Sequence, residues 1–217
     1  MNAVKSSIRV LIADDHTLVR EGLRQLLAAT GDIRVEAEAA DGDQALALVK
    51  ANDYDLAVLD MSMPGVSGIE LIKRVRLEKP RLRVLVLSMH GEQQYAARAL
   101  KAGASGYLTK DSASALLVGA IRKIAAGGVH ISEAAAAQLV AAQGGSPAGE
   151  TAPHTRLSNR EFEVFRLLVE GNGPTDIADR LHLSVKTVST HKTRILEKMG
   201  MESVADLVRY AVDKKLS

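Results

Sequence analysis

Along the first 126 residues the hydrophobic pattern switches repeatedly between two periods. Short apolar runs at 8–13, 56–60, 84–88 and 106–110 predict strands, and 34–39 alternates apolar with charged residues as a half-buried edge strand does. Between them apolar residues recur at helical spacing. Leu18, Val19, Leu23, Leu26 and Leu27 share one face after the first strand, and helices follow at 43–50, 92–101 and 113–126. The helix after the third strand is opened by a capping box of Ser67 and Glu70 and closed by Pro80. Gly103 and the Gly127-Gly128 pair stop the last two helices. Five strand-helix units with right-handed crossovers predict an α/β doubly wound fold, a five-stranded parallel sheet in the order 2-1-3-4-5. Ligands of such sheets bind at the carboxyl ends of the strands, here at the switch point between strands one and three.

The pattern then changes class. An Ala-rich helix is predicted from 132 to 142, and the Gly, Ser and Pro of 143–155 have the composition of a flexible linker. From Leu157 onward four helices are predicted and no strand. Ser158 and Glu161 form a capping box before Phe162, Phe165, Leu167 and Leu168; Gly171 and Gly173 break that helix. Pro174 sits at the first position of a short helix carrying Ile177, Ala178 and Leu181. A tight turn at 182–184 leads to a longer helix, 185–199, ended at Gly200, and Ser203 with Asp206 caps the last. The predicted layout is one domain over 7–127, a short helix and linker over 128–154, and an all-α domain over 155–217.

Composition narrows the function classes. The formal net charge is +2, so no broad basic field announces nucleic acid, and any DNA binding rests on a local patch. With no Cys there are no disulfides and no thiolate metal sites, which fits a reducing compartment. The N-terminus has no apolar core of a signal peptide and no stretch reaches the length of a membrane span, so a soluble cytoplasmic protein is expected. Aromatic residues are 3% of the chain with no Trp, too few for a base-stacking platform on single strands.

Chemistry gathers at the strand ends. The third strand, Leu56-Ala57-Val58-Leu59, stops at Asp60, and the first stops at Asp14 and Asp15. Acids delivered by two neighbouring strands to one edge make an anionic pocket that attracts a divalent cation. A lone Asp before a turn is usually a backbone-capping residue, a lone Ser88 a turn hydroxyl, and a lone Lys110 a solvated charge. As a set they face one rim, with acids at strands one and three, a hydroxyl at four and an ammonium at five. A cation held by Asp15 and Asp60 could bring a phosphoryl group to a carboxylate oxygen and form an acyl phosphate.

With these residues assembled, residues 8–126 resemble the receiver domain of two-component response regulators. The resemblance implies Asp60 as phosphoacceptor, and Mg²⁺ held by Asp14, Asp15, Asp60 and the backbone carbonyl of Ser62. It implies Ser88 and Lys110 as ligands of the phosphoryl oxygens, Tyr107 as the switch aromatic, and a sensor histidine kinase as phosphodonor. Many receivers carry Pro after the Lys, where this chain has Asp111.

In the second domain the helix 185–199 places Val188, Lys192, Ile195 and Met199 on one side, flanked by Leu196 and His191. Lys186, Ser189, Thr190, Thr193 and Arg194 lie opposite. That face suits a major groove, and the preceding short helix and turn make a helix-turn-helix. Leu157-Ser158, Arg160-Glu161, Ile177-Ala178, Leu181, Leu183-Ser184, Thr187-Val188, His191 and Lys198 together resemble the LuxR-type output domain of the NarL/FixJ family. The resemblance makes 185–199 the recognition helix, with Lys186, Thr187, Ser189, Thr190, Lys192, Thr193, Arg194 and Lys198 toward DNA. It makes Val204, Leu207, Val208 and Ala211 of the last helix shared between core and dimer contact. The family's polar lead into the second helix is replaced by Gly173-Pro174-Thr175, which removes a cap, and Ser189 stands where many members have Lys.

The expected function is a transcription factor whose homodimerisation and promoter binding are set by phosphorylation of Asp60. Its rivals are a phosphorylation-independent regulator, a protein-only adaptor and an aspartyl-phosphate phosphatase. The phosphatase would want a second acid where Ser62 stands.

Overall fold

The computed structural model describes residues 7–66, 68–89, 92–132, 136, 152–181, 183–214 and 216. The chain divides into two compact units, Met1–Val140 and Ala141–Ser217.

The first unit is built on five parallel strands, β1 (Ile8–Ala13), β2 (Ile33–Ala39), β3 (Leu56–Asp60), β4 (Arg83–Ser88) and β5 (Gly106–Thr109). Their order is β2-β1-β3-β4-β5. The connections are α1 (Thr17–Ala28), α2 (Gly42–Ala51), α3 (Gly68–Glu78) and α4 (Glu92–Lys101), and α5 (Lys110–Ala125) follows β5. Every residue of β3 is buried, as a central parallel strand covered on both faces must be. β2 alternates buried and open positions, which marks it as the edge. Val10, Ile12, Val58, Leu85 and Leu87 from the sheet form one core with Leu27 of α1 and Leu117, Ile121 and Ile124 of α5. Each such side chain contributes about 1.5–3 kcal/mol by leaving water.

Register fixes the rim. Ala13 pairs with Leu59, Asp60 with Leu87 and Ser88 with Thr109, so the last residues of β1, β3, β4 and β5 end at one edge. The loop after β3 is tied down by α2. The Gly42 N–H donates to the Pro64 carbonyl at 3.2 Å, and a Cβ at Gly42 would lie 1.5 Å from the Val66 carbonyl oxygen. No side chain fits there.

Two boundaries differ from the sequence expectation. Lys110 is the first residue of α5, not the last of β5, because Thr109 keeps an extended backbone and serves as N-cap. The ordered sheet also reaches past residue 127. His130 bridges Gly106 in parallel, its N–H bonding the Ser105 carbonyl and its carbonyl accepting from Tyr107, so it covers the free edge of β5. The expected cap at Ser67 and nearly all of the helix at 132–142 lie outside the described residues.

The second unit opens with a 3-10 turn (Pro153–Arg156) and continues through α6 (Asn159–Val169), α7 (Pro174–Arg180), α8 (Val185–Met199) and α9 (Val204–Asp213). Among its described residues there is no strand. Phe162, Phe165, Ile177, Leu181, Val188, Ile195, Met199 and Leu207 are buried, with the Phe162 and Phe165 rings stacked at 5.8 Å. Both predicted capping boxes form: Ser158 with Glu161, and Ser203 with Asp206. The cap missing from the start of α7 is partly replaced, since Asp176 Oδ2 accepts from the Gly173 N–H at 3.2 Å. Gly200 ends α8 with φ 66°, a left-handed conformation that Gly adopts without strain.

Candidate functional site

β1 and β3 deliver their acids to one spot. Asp14 and Asp60 are 1% and 3% exposed, far below what unpaired carboxylates tolerate, and Lys110 is their partner. Because Lys110 begins α5, its side chain reaches back under the rim. Its Nζ lies 2.6 Å from Asp14 Oδ2 and 3.0 Å from Asp60 Oδ2. The second Asp60 oxygen accepts from the Ser62 N–H at 3.2 Å, so both oxygens of that carboxylate are held. Asp14 Oδ1 accepts from the His16 N–H at 2.9 Å, and the Arg20 guanidinium donates to the Asp14 carbonyl at 2.7 Å.

The charge balance is strained. Burial pushes the Asp60 carboxyl above the ordinary range; the Lys110 charge works against that and the Asp14 charge adds to it. Burial opposes the charge on Lys110, yet the hydrogen bond to Asp14 and the pull of Asp60 outweigh it and hold the ammonium above its usual value. Oxygens of Asp14, Asp15 and Asp60 and a ring nitrogen of His16 all lie within 4.8 Å of one another. Ser88, the last residue of β4, and Tyr107, two residues before the end of β5, are wholly buried on neighbouring strands.

In the second unit the outward face of α8 carries exposed Lys186, Ser189, Thr190, Thr193 and Arg194, while Lys192 is half-buried. Ser189, Thr190 and Thr193 each donate their hydroxyl proton to the carbonyl one turn back, at 2.9–3.2 Å. They therefore present lone pairs and methyl groups outward, and donors must come from Lys186, Lys192 and Arg194, which make no ion pair among the described residues. Thr187 is occupied by the helix start, where its N–H and hydroxyl engage Ser184. Lys198 is occupied too. Its Nζ, on a side chain 42% exposed, binds both oxygens of buried Glu161 at 2.9 and 2.6 Å. Burial, together with the charge of Arg160, holds the His191 imidazole below its usual range.

A family model described as "Response regulator receiver domain" matches residues 10–122, and one described as "Bacterial regulatory proteins, luxR family" matches residues 155–211. The oxygen regulatory protein NreC of Staphylococcus epidermidis is 36% identical over 96% of this chain and 99% of its own length. The chain belongs to the LuxR-type response regulators. NreC of Staphylococcus aureus strains gives the same identity and coverage. RcsB of Salmonella typhimurium is 29% identical over 96% of this regulator and 98% of its own chain, with a TM-score of 0.75. A second RcsB structure, from Salmonella enterica serovar Typhimurium and bound to promoter rprA in the presence of phosphomimetic BeF3-, has a TM-score of 0.68 at 29% identity over 94% of this chain and 98% of that one.

The regulator's structure also shows what the sequence reading placed differently or passed over. Leu207 and Ala211 have no exposed surface and belong to the core of the domain, which is the core half of the shared role expected of them. Val204 and Val208 are half-buried, and Val212, left out of the reading, is 59% exposed on the same helix. His16 was passed over as well, although it follows the acid pair directly. Among the described residues no helix is long and apolar enough to cross a membrane.

Proposed function

We propose that Asp60 is the phosphoacceptor of this regulator, that Mg²⁺ assists the transfer, and that phosphorylation in the cytoplasm controls dimerisation and promoter binding through α8. The observation that carries the reading is the shared Lys110: one ammonium bridges Asp14 and Asp60 at 2.6 and 3.0 Å, at the carboxyl edge of β1 and β3. The donor set fits a hard divalent ion, with three carboxylates converging and the loop of Ser62 fixed beside them. Asp14, Asp15, Asp60 and the Ser62 carbonyl would hold it, and when bound it would neutralise charge on the incoming phosphoryl oxygens.

An Asp60 oxygen attacks phosphorus of the donor, a phosphohistidine of a sensor kinase or acetyl phosphate, and the bond to the leaving nitrogen or oxygen breaks. The product is an acyl phosphate. Lys110, already on an Asp60 oxygen, would reach the oxygens to be formed, and Ser88, buried at the end of β4, would supply a hydroxyl. The new group carries roughly −1.5 to −2 charges, so it competes with Asp14 for Lys110. Tyr107, fully enclosed on β5, would be the side chain that responds to that shift. Two domains joined by a linker of this composition gain DNA affinity when receivers pair, because the second output domain then binds at high effective concentration.

The test is Mg²⁺-dependent labelling by acetyl phosphate together with a DNA mobility shift. Asp60→Asn should abolish labelling, and beryllofluoride should tighten DNA binding by the wild-type chain only. Retained labelling in Asp60→Asn removes Asp60 from its role; DNA affinity indifferent to beryllofluoride means a phosphorylation-independent regulator, and no DNA binding at all means an adaptor.

A further inference from the structure

The acid pair of β1 is followed at once by His16, whose imidazole turns back over the acids instead of out along α1. Its Nδ1 lies 3.2 Å from Asp14 Oδ1 and 2.9 Å from Asp15 Oδ1. The root of the side chain is fixed: the His16 N–H bonds Asp14, and its carbonyl accepts from Val19 and Arg20 as the first turn of α1 closes. Lys110 thus covers the inner oxygens of the cluster and His16 the outer ones. Ligands on opposite sides of an octahedral ion stand about 4.2 Å apart, twice a bond of about 2.1 Å, so a nitrogen and three carboxylates within 4.8 Å already approach one coordination sphere.

We propose that His16 supplies a nitrogen ligand to the cation site of this receiver and so gives it a preference for a first-row transition ion, of the Mn²⁺ or Co²⁺ kind, over Mg²⁺. This rests on the reading of Asp14, Asp15 and Asp60 as the metal acids and adds a fourth donor of different chemistry. Imidazole favours borderline ions in the order of the divalent series, whereas Mg²⁺ keeps to oxygen and water. The ring is 62% exposed and caps no backbone group, so it is free to adjust by the few tenths of an ångström that a bond requires.

The test compares Co²⁺ and Mg²⁺ affinity by calorimetry on the full chain, for wild type, His16→Asn and His16→Ala. Asn puts an oxygen near the Nδ1 position and is a good helix-capping residue, so the fold is kept. Loss of the nitrogen should weaken Co²⁺ by about 10–100-fold and Mg²⁺ by no more than about threefold. The spin-echo spectrum of the Mn²⁺-loaded wild type should carry the modulation of a directly bound imidazole nitrogen, absent from both variants. Equal losses for the two ions, or a spectrum without that nitrogen in the wild type, overturn the inference and leave the acid site standing. If neither ion binds the wild type, the acid site itself falls.

Discussion

Lys110→Met tests the charge accounting of the receiver most directly, since it keeps the length of the side chain and removes the one cation shared by Asp14 and Asp60. Breaking a buried pair leaves the partners uncompensated, at about 3–5 kcal/mol. Proton uptake sets a ceiling. Bringing one carboxyl from its ordinary pKa to neutrality at pH 7 costs about 1.4 kcal/mol for each unit, or about 4 kcal/mol over three units. The expected deficit at pH 7.5 is therefore about 3–4 kcal/mol. For a domain of this size that lowers Tm by about 10–15 °C.

The sign with pH follows from the raised Asp60 carboxyl. A carboxyl raised in the folded state is least costly when protonated in both states, and its penalty grows as pH climbs through the folded pKa. The Lys110→Met deficit should thus be small at pH 4.5 and full at pH 7.5. Mg²⁺ at about 100 times its Kd stabilises any competent site by about 2.7 kcal/mol, and it should recover more than the wild-type increment in the variant, where no ammonium competes for Asp14. Melting followed by circular dichroism at both pH values, with and without Mg²⁺, gives all four numbers. A variant that melts within about 2 °C of wild type at pH 7.5, or whose deficit is the same at both pH values, refutes the reasoning.

Further perturbations separate the other parts. Gly42→Ala forces a Cβ into the Val66 carbonyl and must displace the loop of Ser62; weaker Mg²⁺ binding and slower labelling are expected with the far-ultraviolet spectrum unchanged, measured by calorimetry and acetyl phosphate labelling. Lys198→Ala strands Glu161 and should destabilise the isolated transition of the output domain by about 1–3 kcal/mol in denaturant, while Arg194→Ala leaves stability alone and lowers the DNA salt slope by about one. Although burial works against it, Lys198 and the Ser158 hydrogen bonds hold Glu161 below the ordinary carboxylate range, so its contribution is present above the unfolded pKa and is lost as pH falls through the folded one. Acid titration of the output domain should show that loss, and Lys198→Ala should reduce it to the part held by the Ser158 hydrogen bonds. Leu207→Ala should unfold the domain by about 2–5 kcal/mol, whereas Val212→Asp should leave the melt unchanged and weaken dimer formation on sedimentation.

Strands were legible because a parallel sheet buries both faces, and an uninterrupted apolar run such as Leu56-Ala57-Val58-Leu59 has few other uses. Asp14, Asp60 and Lys110 were legible for the same reason, since polar residues at the end of such runs are forced to the rim. What sequence could not supply was direction. Lys110 belongs to α5 and not to β5, a one-residue difference that decides whether its ammonium points under the rim, and only the extended Thr109 backbone settles it. On α9 the helical period identified the apolar side, but Leu207 and Ala211 share that side with Val204 and Val208, and period alone does not say how far the core wraps round. On α8 the polar face was plain, whereas the loss of Lys198 to Glu161 depends on a residue 37 positions away.

The receiver's charges say how the proposed phosphorylation would act as a switch. Three carboxylates and one ammonium leave the rim with a formal charge of −2, held together by a single Lys that already serves two acids. A phosphoryl group on Asp60 replaces that carboxylate's charge by roughly −1.5 to −2 and adds oxygen acceptors, so without a divalent ion the pocket would have to carry more than its one cation can balance. With the ion in place, Lys110, the ammonium already shared by Asp14 and Asp60, would divide itself between Asp14 and the new oxygens. Because Lys110 opens α5 directly after β5, the proposed switch would bear on the first turn of α5 and on the strand that holds Tyr107. Shifting such an equilibrium from 1:99 to 99:1 requires about 5.5 kcal/mol, which is the scale of one buried charge-assisted pair made and another broken. A variant at position 110 that retains labelling yet no longer alters DNA affinity would locate the switch in that choice, and one that loses both together would place it in the transfer step.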